Sequence, residues 1–181
     1  PMPAADGETA RWLPYGTLAD ACRATELTVW RLEDFGQAAP SVQAAYMQLL
    51  LARRVGDHVL PECVTFVLTT NDTTHHAGAN AILSTIRDRV LLVKVEPHVD
   101  DWCAWAIDAG GIAPERIAFL RLRADLLCAA TVTRDLAAVC TPRGWARLDT
   151  VARMPLRGDV RAEAMAGCVG EGPATEYLAF E

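Results

Sequence analysis

The sequence predicts an α/β fold: a small parallel sheet with helices, followed by an all-helical part. Three observations predict it. Three short apolar runs of β-type, Leu27–Leu32, Val64–Thr70 and Val90–Val95, alternate with helical segments, the pattern of a parallel sheet in a layered α/β unit. Beyond Pro97 no β-type run of comparable quality follows, and Pro and Gly residues punctuate a series of helices. The chain of 181 residues is 51% hydrophobic and 22% charged, ordinary globular composition for one domain with a helical appendage.

Residues 1–20 carry Pro, Gly and Asp with little periodicity and read as irregular. Leu27-Thr28-Val29-Trp30-Arg31-Leu32 reads as a buried strand that ends in Glu33-Asp34 before the turn residue Gly36. Pro40-Ser41 opens a helix running to about Arg54, with Val42, Ala45, Tyr46, Leu49 and Leu50 as its apolar stripe. Arg53-Arg54 sit in its last turn, where the helix dipole favours cations, and Gly56 is the expected stop. Val64–Thr70 forms the second strand and stops at Asn71-Asp72. A polar stretch with His75-His76 follows, then a short helix within 79–88 and the third strand, ended by Pro97. In the second part, helices are expected from Asp100 to Gly110, Pro114 to Leu122, Pro142 to Met154, Glu163 to Cys168 and Pro173 to Phe180. The boundary between the parts falls at Glu96-Pro97-His98, giving units 1–97 and 98–181.

Charge and composition exclude several function classes. With 17 basic and 23 acidic residues the net charge is −6, which argues against a nucleic-acid coat protein. No apolar stretch reaches bilayer-spanning length, and the Pro-Met-Pro start shows no signal-peptide pattern. The only lysine is Lys94, inside the third apolar run. A phosphate-binding loop of the type G-x-x-x-x-G-K-[ST] needs a Lys after glycines at a helix start, so residues 1–181 contain none. The six cysteines, Cys22, Cys63, Cys103, Cys128, Cys140 and Cys168, lack a C-x-x-C and read as reduced thiols, mostly buried, in a cytoplasmic protein. A thiol enzyme using Cys103 would need a partner His that the sequence does not place.

Four places carry candidate chemistry, each with a plainer alternative. Glu33-Asp34 after a strand suit a Mg²⁺ shell and a polarised water; solvated acids in a strand-end turn are the alternative, preferred on local sequence alone. Asn71 at the end of the second strand suits a water or γ-phosphate contact; an Asn-Asp turn is the alternative. Arg87-Asp88-Arg89 contains an arginine able to reach a neighbouring subunit's nucleotide; a helix C-terminal cation paired with Asp88 is the alternative. Arg143 in Thr141-Pro142-Arg143, at a helix start, suggests an anionic partner; an exposed first-turn residue is the alternative. His75-His76 lack a third ligand at metal spacing and read as a solvated loop. Trp102 and Trp105 flank Cys103 and read as core.

Taken together and in order, these segments resemble the AAA+ ATPases, specifically the MoxR-like branch. Leu32-Glu33-Asp34-Phe35-Gly36-Gln37-Ala38-Ala39-Pro40-Ser41-Val42-Gln43 looks like the Walker B strand and following helix. Thr69-Thr70-Asn71 looks like sensor 1, Arg87-Asp88-Arg89-Val90 like the arginine-finger segment, and Thr141-Pro142-Arg143-Gly144-Trp145 like sensor 2. Asp100–Ala106, Ala118-Phe119-Leu120 and Asp125-Leu126-Leu127 fit the helical lid, as do Gly167–Gly172 and Glu176–Phe180 at its end.

The resemblance implies ATP and Mg²⁺ as cofactors and a homo-oligomeric ring, usually a hexamer. It also implies a role in remodelling or maturing a client protein, without membrane or direct nucleic-acid binding. Residues 1–97 would be the rear of the α/β core and 98–181 the lid. Glu33 would hold Mg²⁺ through water and Asp34 would orient the attacking water. Asn71 would sense the γ-phosphate, Arg89 would act in the adjacent subunit and Arg143 would close the lid. Two departures stand out. The family's first strand and Walker A loop would lie before residue 1, and Glu33-Asp34 stands where the family has Asp-Glu or Asp-Asp. Both favour a rival from another class, a non-catalytic assembly module that keeps the shape and hydrolyses nothing, while the retained Asn71, Arg89 and Arg143 favour descent from an active enzyme.

Overall fold

The computed structural model describes residues 2–3, 10–11, 13–71, 81–129 and 137–181. His75-His76 lie outside the described residues. The chain divides into two compact units, Pro1–Leu92 and Val93–Glu181. It is mixed α/β, with a two-stranded parallel sheet and many helices. No helix among the described residues is long and apolar enough to cross a membrane.

The first unit opens with a short antiparallel pair, β1 (Met2–Pro3) with β2 (Ala10–Arg11), and a helix α1 (Thr17–Cys22). The sequence pattern predicts irregular chain over this stretch. Two-residue strands and a helix of under two turns carry too few residues to print a period.

β3 (Thr28–Leu32) pairs in parallel with β6 (Val64–Leu68), Thr28 opposite Val64 through Leu32 opposite Leu68. Between them run α2 (Pro40–Ala52) and a tight hairpin of β4 (Arg54–Val55) and β5 (His58–Val59). One sheet face carries Trp30 and Phe66, directly paired with rings 5.9 Å apart. They pack with Leu18, Cys22 and Tyr46 on a small core of Ala21, Leu49 and Leu60. The other face presents Val29, Arg31, Thr65 and Val67, all exposed.

Three expectations are corrected here. Val90–Val95 is not a strand: it follows α3 (Ser84–Arg87) as irregular chain, with Leu91 89% and Val95 87% exposed. Apolar, β-branched composition encodes a wish for burial, but a strand exists only through a hydrogen-bonded neighbour. α2 ends at Ala52 with Arg53 in the left-handed region at φ 53°, and Gly56 turns the β4–β5 hairpin instead. Arg53 does not serve the helix terminus alone. Its guanidinium donates to the Pro61 and Val64 carbonyls, both at 2.6 Å, and lies over the Phe66 ring. The α2 stripe is rotated as well: Val42 and Ala45 are exposed, while Gln43 and Leu49 are buried.

Among the described residues the regular elements of the second unit are helices: α4 (Val99–Trp105) continued by a π-helical turn to Gly110, α5 (Pro114–Leu122), α6 (Pro142–Ala152), α7 (Gly158–Val169) and α8 (Glu171–Phe180). Each of these helices was legible from the sequence, with α7 starting earlier than its apolar residues suggested. Phe119, Trp145 and Tyr177 form an aromatic centre with ring centroids 5.3–6.2 Å apart, a spacing that favours tilted and edge-on contacts. Trp145 is fully buried and its indole N–H donates to the Leu126 carbonyl at 2.7 Å. Trp102 is buried as expected and donates to the Pro142 carbonyl at 3.2 Å, whereas Trp105 is 45% exposed.

A buried ion pair accompanies this core. Asp149 accepts from the Ala113 N–H at 3.0 Å and from Arg153 Nε at 2.8 Å. Arg116 Nε lies 3.4 Å from Asp149 Oδ1 without forming a hydrogen bond, and its guanidinium sits over the Tyr177 ring. Burial pushes the Tyr177 phenol up to about 12, against the pull of the nearby Arg116 charge. Gly144 is required where α6 crosses α7, since a Cβ there would meet the Cys168 carbonyl at 2.6 Å.

All six cysteines are free. Cys103, Cys140 and Cys168 are buried, Cys22 and Cys63 are half-buried and Cys128 is exposed, so three of the six are buried where most were expected to be. Burial raises the Cys140 thiol to about 11, with Cys128 and Asp125 adding negative potential, and burial raises Cys168 as well.

Candidate functional site

Because β3 and β6 are parallel neighbours in register, both strands end at the same sheet edge. Open α/β sheets bind ligands outside the carboxyl ends of their strands. The two strand ends are stitched together there. The Thr69 N–H donates to the Leu32 carbonyl at 3.0 Å, and the Phe35 N–H donates to the Thr69 carbonyl at 2.8 Å. The Asp34 N–H donates to the Thr69 hydroxyl at 3.1 Å. Glu33 and Asp34 therefore sit beside the Thr69-Thr70-Asn71 segment, all of them exposed.

Asp34 adopts the left-handed conformation, φ 51° and ψ 34°. An L-residue there costs about 1 kcal/mol, and Asp tolerates the region better than most. The turn continues as a 3₁₀ segment, Phe35–Gln37, closed by Gln37 N–H to the Asp34 carbonyl at 2.8 Å. Phe35 anchors it: the ring is 4% exposed and meets Tyr46 edge-on at 5.7 Å. The acids are thus carried on a turn whose backbone is over-determined, a common way of holding strain at a working site.

Glu33 is already engaged, its Oε1 2.6 Å from Arg31 Nη2. Among the described residues no group of three or more His, Cys, Asp or Glu forms a metal-type cluster. The oxygen donors at the edge do match a hard cation. Mg²⁺ at a phosphate takes one or two protein carboxylates and keeps waters, and Glu33 and Asp34 supply that number.

The other sequence-read residues lie elsewhere. Arg89 follows α3, and its Nη1 donates to the Thr85 carbonyl at 2.7 Å, closing the end of that helix. Arg143 is exposed in the first turn of α6 in the helical unit. Thr141 caps that helix, its hydroxyl accepting from the Gly144 N–H at 2.9 Å. Two surface clefts among the described residues, of about 400 and 510 Å³, are lined by α1–β3 residues such as Thr17, Arg23 and Trp30 and by Ile107, Ile117 and Arg121. Neither is lined by Glu33, Asp34 or Asn71.

Two functional-looking residues escaped the sequence reading. Thr69 fixes the acid-bearing turn through both its backbone and its hydroxyl. Gln43, at zero exposure, is buried in the first turns of α2. A signal for Gln43 was present: a polar amide three, four and seven residues before Tyr46, Met47 and Leu50 lies on the side of the helix that packs inward. Compared with known proteins, the chain matches no family model, no curated protein and no solved structure.

Proposed function

We propose that the chain is a portion of an AAA+ ATPase of the MoxR-like kind, coupling ATP binding and hydrolysis to the remodelling or maturation of a client protein. The observation that carries this reading is the parallel β3–β6 pairing, which brings Glu33-Asp34 and Asn71 to one sheet edge. Antiparallel or unpaired strands would have sunk it.

In this reading the exposed Asp34 carboxylate accepts a hydrogen bond from the attacking water and aims it, using the fixed turn. Asn71 offers its side-chain amide to an anionic oxygen from the neighbouring strand end. Glu33 would face the metal's water shell, which needs its exposed pair with Arg31 to open. Bound with ATP, Mg²⁺ would supply charge neutralisation at the transferred phosphoryl group. Arg89 serves an adjacent subunit of a homo-oligomeric ring, and Arg143 meets phosphate from the lid.

The test has two arms. The coding sequence upstream of Pro1 is read for G-x-x-x-x-G-K-[ST]; its absence would overturn the ATPase reading. The polypeptide carrying that loop is then assayed for ATP hydrolysis. Arg89→Ala is expected to lower kcat by about 10³-fold while ATP binding persists, the size of loss expected for an arginine acting in trans.

One observation favours the non-catalytic assembly module: the Arg31–Glu33 pair occupies the metal-side acid. That module would hydrolyse nothing even with the loop present, and Arg31→Ala would not restore turnover.

A further inference from the structure

Among the described residues, Gln43 is the only buried polar side chain of the α/β unit. Its amide is used at both ends. Nε2 donates to the Ala38 carbonyl at 3.1 Å and to the Ala81 carbonyl at 3.5 Å. Oε1 accepts from the Leu83 N–H at 3.1 Å. Ala38 closes the turn that begins at Asp34, its N–H bonded to the Phe35 carbonyl at 3.2 Å. Leu83 opens α3: its carbonyl accepts from the N–H groups of Ile86 and Arg87 at 2.9 and 3.0 Å. Arg89 is in turn tied to Thr85 of that helix.

A continuous hydrogen-bonded path therefore joins the acid-bearing turn to the helix that precedes Arg89, and one buried side chain makes the connection. Among the described residues, the Thr85 hydroxyl also reaches α2, at the Met47 sulfur 3.4 Å away, and Ile86 is buried at 2% exposure. The residue type is specific. An amide is the one group of this length that donates and accepts at once. Methionine has the length without the bonds, and glutamate accepts but does not donate. Burying either beside these carbonyls leaves polar groups unpaired.

We infer that Gln43 is a positioning residue that couples the conformation of the Asp34 turn to α3 and hence to Arg89. The use of this coupling in hydrolysis rests on the function proposed above. The coupling itself does not, so it is tested on the 181-residue chain without nucleotide. Failure to find a phosphate loop upstream would overturn the ATPase reading and leave this result standing.

The perturbation is Asp34→Ala. Asp34 is exposed, and alanine fits the left-handed turn less well than aspartate, so the turn shifts while the core is untouched. The readout is amide hydrogen exchange of Leu83–Arg87 by NMR, with Thr28–Leu32 as the internal reference. Asp34→Ala is expected to speed exchange in Leu83–Arg87 by about 2- to 30-fold, the span that coupling of this kind produces. In Gln43→Met the same Asp34→Ala change is expected to leave α3 exchange unaltered, a non-additivity that a merely structural Gln43 would not produce. Gln43→Met by itself should speed exchange at Leu83. Unchanged α3 exchange on Asp34→Ala in the otherwise native chain overturns the inference, a result that needs no Gln43 variant to fold. Equal transmission with and without the Gln43 amide overturns it too.

Discussion

The two units bury their apolar residues to very different extents. In the helical unit a continuous core runs from Trp102 through Phe119, Leu120, Trp145 and Leu148 to Met165 and Tyr177. In the α/β unit the corresponding cluster is Ala21, Leu49 and Leu60 with half-buried neighbours. Val29 on the sheet face is 57% exposed, and Leu27, at its margin, 79%. The difference follows from what each element needs. A helix satisfies its own backbone, so five helices close a core with side chains alone. A strand satisfies its backbone through neighbours, and a parallel sheet is normally covered on both faces. A two-stranded parallel sheet leaves edges and one face without either.

The largest expected effects break the helical core. Trp145→Ala removes the centre of the aromatic cluster and should cost about 3–5 kcal/mol, read by urea unfolding followed by circular dichroism. Asp149→Ala should cost a similar amount, about 3–5 kcal/mol, because Arg116 loses its buried counter-charge, keeping the more exposed Glu115 and Glu181 at 3.6 and 3.9 Å, and the Ala113 N–H loses its acceptor. A loss below 1 kcal/mol for both would mean that the helical core is not what stabilises that unit.

Gly144→Ala comes next. Its Cβ would press on the Cys168 carbonyl, backbone that cannot swing away. Overpacking of this kind costs about 1–3 kcal/mol, visible as a lower urea midpoint at unchanged slope. A wild-type midpoint would show that α6 and α7 separate freely.

Alkaline pH sharpens the contrast without mutation. Cys140 ionises near 11 in the folded helical unit against 9.0 when unperturbed, and Tyr177 near 12 against 10.0. For acids that are neutral when protonated, a raised folded value means the unfolded chain gives up protons first. The contribution is therefore complete below about pH 9 and lost as pH rises through 11 to 12. Helical-unit unfolding should become easier across that window, and Cys140→Ala should flatten its lower part.

The smallest stability effect is expected at the exposed apolar run. Leu91→Ser should change stability by no more than about 0.5 kcal/mol, since a side chain 89% exposed has little burial to lose. Binding of an apolar fluorescent dye should fall all the same. A loss above 2 kcal/mol would mean that Leu91 is packed, and would erase the contrast between the units.

Legibility in the sequence follows the same division. Helices from Asp100 onward announce themselves through N-terminal acids or prolines and terminal glycines, signals that act within one element. The strands Thr28–Leu32 and Val64–Leu68 were legible for the same reason, as short β-branched runs between turn residues. Val90–Val95 has an equally good local pattern and is not a strand, because the missing ingredient is a partner and no local pattern encodes one. In the candidate site, Glu33, Asp34 and Asn71 could be picked out as strand-end polar residues. The left-handed turn at Asp34 and the Thr69 hydroxyl that meets it could not; the inward side of α2 that holds Gln43 was legible, but its partners Ala38, Ala81 and Leu83 were not.

By itself, then, the sequence determined the α/β composition, the helical second half, the positions of two strand ends and the lack of a phosphate-loop lysine within residues 1–181. These are properties of residue type and spacing along the chain. Tertiary structure alone decided that β3 and β6 are parallel neighbours in register, that Arg31 engages Glu33 and Arg53 reaches across to the β6 entry, and that an amide on α2 bonds to backbone groups 38 and 40 residues away in sequence. Each of those depends on which segments meet in space, and hydrogen bonds and ion pairs act only over a few ångströms.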